Sequence, residues 1–268
     1  MGVLSCEGLP AGSVCRMSLK HVLASGVRRC LHAAVHRGWE WIQRQGEITP
    51  STPGRYRFAY FGEGACIGFP TGAIYGERWI SIGDHTLIGT HVTISAGFVP
   101  GLDLGPDIIV KIGNSCSLGR GTYIVGHQSI EIGNDVFTGP NVYITDQNHS
   151  YSDLDTPIGR QWPENKPVVI GDGCWIGTGA IILPGTKLGR NVAVAGGAVV
   201  RGEFPDHCVI GGVPAKILRR HDPDKGWVPP LRQRSSVVSL QELSQLATGA
   251  AEEDMQILQD KLREEAAG

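Results

Sequence analysis

The run Thr145-Asp146-Gln147-Asn148-His149-Ser150-Tyr151 is the densest cluster of chemically capable side chains in the sequence. Histidine titrates near neutrality, so His149 can take a proton from a hydroxyl as a general base and later return it. Asp146, three residues earlier, is close enough either to fix the imidazole tautomer or to bind a hydroxyl itself. Gln147, Asn148 and Tyr151 add hydrogen-bonding groups for a polar substrate. Further along, Arg160 offers a cation that either holds an acidic sugar or is a solvated charge.

These residues interrupt a repeat. From Phe61 onward an aliphatic or small residue, followed by Gly or another small residue, returns every six positions. Ile82-Gly83, Ile88-Gly89 and Ile94-Ser95 form one triplet; Ile112-Gly113, Leu118-Gly119 and Ile124-Val125 form the next. Ile132, Thr138 and Ile144 lead a third triplet, followed by Ile170, Ile176 and Ile182, then by Leu188, Val194 and Val200. A weaker first triplet starts with Phe61, Ile67 and Ala73. A short fixed period means stacked units, and a six-residue period means a parallel β-helix whose three flat sides each take one hexad. The leading aliphatic points inward, as does a small residue four places later: Thr86, Cys116, Val136, Cys174 and Val192.

The places where the count fails locate the site. Coil starts at 61, 82, 112, 132, 170 and 188 exceed the 18-residue spacing by 3, 12, 2, 20 and 0 residues. The excursions of 12, 2 and 20 residues leave after Ile94, Ile124 and Ile144, each the third side of its coil. They must therefore emerge at one corner, one above another, and long irregular loops in compact domains usually carry function. His127 falls in the two-residue excursion, one coil below His149. Asn141 lies on the preceding side of the His149 coil. His32, His36, His85, His91, His207 and His221 read as structural or solvated. Only His127 and His149 share a corner, and two ligands are too few for a catalytic zinc, so no metal is expected.

Composition agrees with this architecture. The chain has 268 residues, long enough for a sizeable core, and its 38 Gly lack a collagen period. A net charge of −2 gives no nucleic-acid signal. Charge is uneven: residues 1–58 carry eight Lys/Arg against three Asp/Glu, and residues 235–268 two against seven. The seven cysteines form no C-x-x-C pair, and Cys116 and Cys174 sit at inward positions, which suits reduced thiols in the cytoplasm. No run is long and apolar enough to span a membrane, and no secretory leader is evident.

Three regions follow. Residues 1–58 hold an unstructured start (1–16), a basic amphipathic helix over 18–44 and a linker over 46–56. The helix is expected to pack on the flank or end of the solenoid; the alternative is a surface helix on an anionic membrane. Residues 59–220 form the all-β solenoid, and 221–268 a linker and acidic helical tail broken near Gly249.

The hexads, Asp146-Gln147-Asn148-His149, the excursion after it, Ile170-Gly-Asp-Gly-Cys-Trp175-Ile-Gly177 and Gly212-Val-Pro-Ala-Lys216 together resemble the hexapeptide-repeat acyltransferases. The nearest branch looks like the maltose, galactoside and nodulation acetyltransferases and the polysaccharide O-acetyltransferases. The resemblance covers residues 61–220. It implies a left-handed β-helix, a homotrimer with sites between subunits, acetyl-CoA or another short acyl-CoA as donor, and a hydroxyl acceptor on a sugar, polysaccharide or glycolipid. His149 would be the base, helped by Asp146 and Asn141, with His127 toward the acceptor. Thr178, Gly196 and Arg201 match positions that approach pantetheine, and Lys216 and Arg219 those near the nucleotide phosphates. Trp175 is either a flank-packing aromatic or a platform for adenine. An N-acyltransferase on an amino-sugar nucleotide and a non-catalytic trimeric scaffold are the competing readings.

Overall fold

The computed structural model describes residues 19–52, 57–98, 101 and 103–229, with the side chains of the long helix described from Gly26 onward. The expected helical tail and the first sixteen residues lie outside the described part.

The hexads build a three-faced parallel solenoid. One face stacks Tyr60–Phe61, Ile80–Ile82, Val110–Ile112, Ile130–Ile132, Val168–Ile170, Lys187–Leu188 and Glu203–Phe204. The second stacks Cys66–Ile67, Leu87–Ile88, Ser117–Leu118, Phe137–Thr138, Trp175–Ile176, Ala193–Val194 and Cys208–Gly211. The third stacks Ile74–Tyr75, Thr93–Ala96, Tyr123–Gly126, Tyr143–Thr145, Ile181–Ile182 and Val199–Val200. Registers join equivalent hexad positions, for example Ile94 to Ile124 and Ile144 to Ile182. From Ile82 to Val200 the leading residues and the small residues Thr86, Cys116, Val136, Cys174 and Val192 are all buried, while Phe61 and Ile74 of the first coil are partly buried, so the core is one column of stacked side chains. The coils stack closely enough that a Cβ on Gly171 would lie 2.6 Å from the Gly189 carbonyl oxygen, which only Gly avoids.

Two of the corners repeat a second device. The residue after the turn holds a left-handed backbone, and Gly, Asn, Asp, His or Ser occupies it: His85, His91, Ser115, Asp135, Asn141, Asn191 and His207 all have positive φ. Between the first and second faces, a side-chain oxygen of one coil accepts a backbone N–H of the coil below. Asn114 accepts Asp84 N–H at 2.8 Å, Asn134 accepts Asn114 N–H at 2.9 Å, and Asp172 accepts Asn134 N–H at 2.7 Å. The chain ends its parallel stacking with an antiparallel strand, Lys216–Asp222, laid on Cys208–Gly211. A first compact unit runs to His221; of the second, which begins at Asp222, the described part holds a short strand, Gly226–Val228.

Three expectations are corrected. In the first coil Ile74, not Ala73, pairs with Ile94, because the corner before it holds one extra residue. The segment after the helix is not purely a linker: Ile48 is buried and bridges antiparallel to Ile67. From Gly26 onward the helix, Leu19–Gly46, does not cover the solenoid with its apolar stripe. Val27, Leu31, Val35, Trp39 and Ile42 all remain exposed, and contact is made at the last turn, where Gly46 meets the Phe69 ring.

Candidate active site

The three excursions do leave one corner. They follow Thr93–Ala96, Tyr123–Gly126 and Tyr143–Thr145, which are neighbouring strands of the third face. The first excursion is fastened by Leu104 against the core and by the Trp79 indole, which donates to the Gly105 carbonyl at 2.7 Å. The third leaves as an antiparallel arm: Gln147–Asn148 pairs with Glu164–Asn165, and Lys166 N–H donates to the Asp146 carbonyl at 2.7 Å. Near its far end the Asp153 carboxylate accepts the N–H groups of Asp155 and Thr156, and Gln161 closes the loop by donating to the carbonyls of Asp153 and Thr156.

Asp146 is fully buried at the root of this arm. One carboxylate oxygen accepts His127 N–H at 2.8 Å; the other accepts Gln128 N–H and Ser129 N–H, both at 2.7 Å. Three consecutive amides thus converge on one anion, an arrangement that offsets the cost of burying it. The expectation that Asp146 either fixes the His149 tautomer or binds a hydroxyl is corrected: it is fully buried and its oxygens accept from the backbone of the coil below. It is a positioning residue for the two-residue excursion. Thr145 reinforces the same junction, its hydroxyl donating to the Val125 carbonyl at 3.1 Å.

His127 is half-buried, and its Nδ1 is enclosed without a hydrogen-bond partner. Burial pushes its pKa below the ordinary value; the nearby Asp146 charge opposes this and the His149 imidazole adds to it. His149 itself is exposed, one residue beyond the arm's strand. Phe98, from the first excursion, packs on His127 with ring centroids 4.0 Å apart, and on Trp162 of the arm at 5.5 Å. Phe98 and Trp162 are the residues that periodicity overlooked; the available signal was an aromatic in each long excursion.

At the arm's base a cavity of about 100 Å³ is lined by Gln147, Asn148, Glu164, Lys166, Leu183, Pro184 and Arg201. Arg201 is therefore on the His149 side of the solenoid, beside Gln147 and Asn148. Tyr151 and Arg160 are exposed farther out on the arm. Asn141 is not brought to His149. It occupies the corner between the second and third faces, where Thr178 and Gly196 also sit, with Gly197 N–H donating to the Thr178 carbonyl at 2.9 Å. Trp175 lies half-exposed on the second face, in register between Phe137 and Ala193. Lys216 and Arg219 lie on the terminal antiparallel strand. Within one chain His149 and the positions Thr178 and Gly196 are thus on different corners, whereas Arg201 shares the corner of His149. Among the described residues no group of three or more His, Cys, Asp or Glu is placed to hold a metal.

Sequence comparisons agree with the repeat. Residues 109–146 match the family described as the hexapeptide repeat of succinyl-transferase, and residues 167–202 match the bacterial transferase hexapeptide family. A probable acetyltransferase of Mycobacterium tuberculosis is 32% identical over 60% of this chain and 48% of its own length. A putative lipopolysaccharide biosynthesis O-acetyl transferase of Escherichia coli, WbbJ, is 37% identical over 37% of this chain and 55% of its own. A galactoside O-acetyltransferase of Lactococcus lactis is 34% identical over 40% and 54%. The chain spans about half the length of these curated relatives. The solved structure of AntD, an N-acyltransferase from Bacillus cereus in complex with dTDP and 3-hydroxybutyryl-CoA, shares the fold: TM-score 0.51 at 21% identity, over 62% of this chain and 85% of that one. The solenoid is a left-handed parallel β-helix, and its repeats are similar to those of the hexapeptide-repeat acyltransferases over the matched residues 109–146 and 167–202.

Proposed function

We propose that the protein is an acyl-CoA-dependent O-acyltransferase that moves a short acyl group, acetyl first among them, to a hydroxyl of a sugar, polysaccharide or glycolipid. The observation that carries this reading is the convergence of three excursions around two histidines, with one face-forming strand beneath each excursion. O-acetyltransferases of carbohydrates among the relatives support the acceptor class.

His149 removes the proton of the acceptor hydroxyl as its oxygen attacks the thioester carbonyl. The tetrahedral intermediate collapses by breaking the carbon–sulfur bond. The electron pair leaves on sulfur, and the imidazolium returns its proton to the thiolate of CoA. No covalent enzyme intermediate is needed, so rate comes from positioning and from donors facing the developing oxyanion. Gln147, Asn148, Tyr151 and Arg160 surround the acceptor, with His127 beneath it. Thr178, Gly196, Arg201, Lys216, Arg219 and Trp175 serve the donor.

Their distribution over two corners is why we assign the working unit as a homotrimer. The site then forms where the His149 corner of one copy meets the Thr178 corner, with Asn141, of the next. The flanks support such contacts unequally. The first face carries an outward ladder of Lys111, Glu131, Lys187 and Glu203, with Lys187 and Glu203 paired at 2.8 Å, and suits water. The second carries Leu87, Phe137 and Trp175 and the third Tyr123, Tyr143 and Ile181, all in register and apolar, and these suit a partner copy. Residues 59–220 are the catalytic unit in this scheme, acting in the cytoplasm. The exposed helix, with Arg28, Arg29, Arg37 and Arg44 flanking its apolar stripe, offers peripheral contact with an anionic membrane surface.

Purified protein incubated with acetyl-CoA and a panel of glycans, with free CoA quantified by mass spectrometry, tests the reading. Acceptor-dependent CoA release is expected. No release with any acceptor, together with no CoA binding by calorimetry, would leave only a scaffold.

A further inference from the structure

Phe98, His127 and Trp162 come from three separate excursions, yet their rings form one continuous cluster. Core burial does not account for it. Trp162 is 80% exposed, and Phe98 lies between it and the histidine with part of its ring open to solvent. An indole left this open next to polar groups is an unusual use of apolar area, and such sites mark recognition surfaces. The arm's register fixes where the surface points. Asn148 pairs with Glu164, so His149 and Trp162 leave the two strands toward the same end of the arm. Trp162 is therefore carried by the same arm as the proposed base, and through Phe98 the aromatic surface reaches His127, whose backbone is fastened to Asp146.

We propose that Trp162 and Phe98 form a stacking platform for the apolar face of a pyranose ring of the acceptor, with His127 reaching one of its hydroxyls. A pyranose presents C–H bonds on one face and hydroxyls around its rim. C–H hydrogens carry partial positive charge and suit the negative face of an aromatic ring. The rim hydroxyls then turn toward polar side chains, the usual division of labour in a small-molecule site. His127 provides one such group: burial favours its neutral form, which carries both a donor and an acceptor nitrogen. An acyclic polyol has no flat apolar face and gains little from the platform. This assignment deepens the acyltransfer reading above and rests on it.

Two measurements test it on the full chain. The indole ¹H–¹⁵N resonance of Trp162, assigned by its loss in Trp162→Phe, is titrated with methyl pyranosides and with an acyclic hexitol. A saturable shift with at least one pyranoside and none with the hexitol is expected; equal shifts with both, or none with any pyranoside while CoA still binds, would overturn the platform. In steady state with a pyranoside acceptor, Trp162→Ala is expected to raise the acceptor KM about 10-fold, with CoA affinity unchanged and most of the loss recovered in Trp162→Phe. An unchanged acceptor KM in Trp162→Ala, with wild-type CoA release, would contradict the platform while leaving acyl transfer intact. Failure of the wild type to bind CoA or release it would instead remove the acyltransfer reading beneath it.

Discussion

The carboxylate of Asp146 accepts the backbone N–H of His127 at 2.8 Å, so the residue three before His149 holds the other histidine of the site in place. The buried carboxylate thereby ties the backbone of His127 to the root of the arm that carries His149. Replacing Asp146 with Asn keeps the size but puts an NH₂ where one acceptor oxygen stood, leaving at least one of the three amides facing a donor. A loss of about 1–3 kcal/mol in unfolding free energy is expected from urea denaturation. Amide exchange should accelerate most at His127, Gln128 and Ser129; uniform acceleration across the solenoid would contradict the local role.

The lowered pKa of His127 makes a directional prediction about pH. Burial is its main cause, the His149 imidazole adds to it, and the Asp146 charge opposes it. With the folded pKa below the unfolded value of about 6.5, the unfolded chain binds more protons in this range, so stability rises with pH. The contribution is present above the unfolded pKa and is lost as pH falls through the folded pKa. The urea midpoint of the wild type should drop between about pH 7.5 and 5, and His127→Gln should show a shallower drop. An identical pH slope in the variant would show that His127 does not carry the linkage.

Buried thiols should be silent. Cys174 is pushed up to about 11 by burial, and the thiols of Cys116 and Cys208 are also raised by burial. A thiolate is the reactive form, so these three should resist iodoacetamide at neutral pH in the folded state, while the exposed Cys30 alkylates readily. Peptide mapping before and after denaturation reads this directly. Fast labelling of Cys174 in the native protein would contradict the inward placement of the hexad's small residue.

Core positions should follow the column. Ile144 is fully buried and pairs in register with Ile124 and Ile182, immediately before the arm. Ile144→Ala should cost about 2–5 kcal/mol, since neighbours locked in stacked strands can relax little into the gap. Thermal unfolding by calorimetry measures it. A substitution at the exposed Glu131 should fall within about 0.5 kcal/mol.

Sequence periodicity revealed the solenoid and the site's corner because both are consequences of one count. Ile94, Ile124 and Ile144 must stack, so whatever follows them must leave at the same edge. It could not reveal the role of Asp146, because nearness in sequence to His149 said nothing of the three amides one coil below. Phe98 and Trp162 escaped for a related reason: their meeting depends on loop paths that no six-residue period governs. Asn141 shows the converse. The count placed it correctly on the preceding side, and the structure keeps it there with Thr178 and Gly196, away from His149 within the same chain. The helix was legible as a helix, but its uncovered stripe was not, since amphipathicity gives a face without naming what lies against it.

The central claim is that His149 acts as the general base, and the most direct measurement is acceptor-dependent CoA release by His149→Ala against wild type at saturating acetyl-CoA. The account predicts a fall in kcat of about 10²–10⁴-fold with CoA affinity retained, and a partial recovery as pH is raised and hydroxide replaces the imidazole. A variant that releases CoA at the wild-type rate, with the same pH profile, would contradict it.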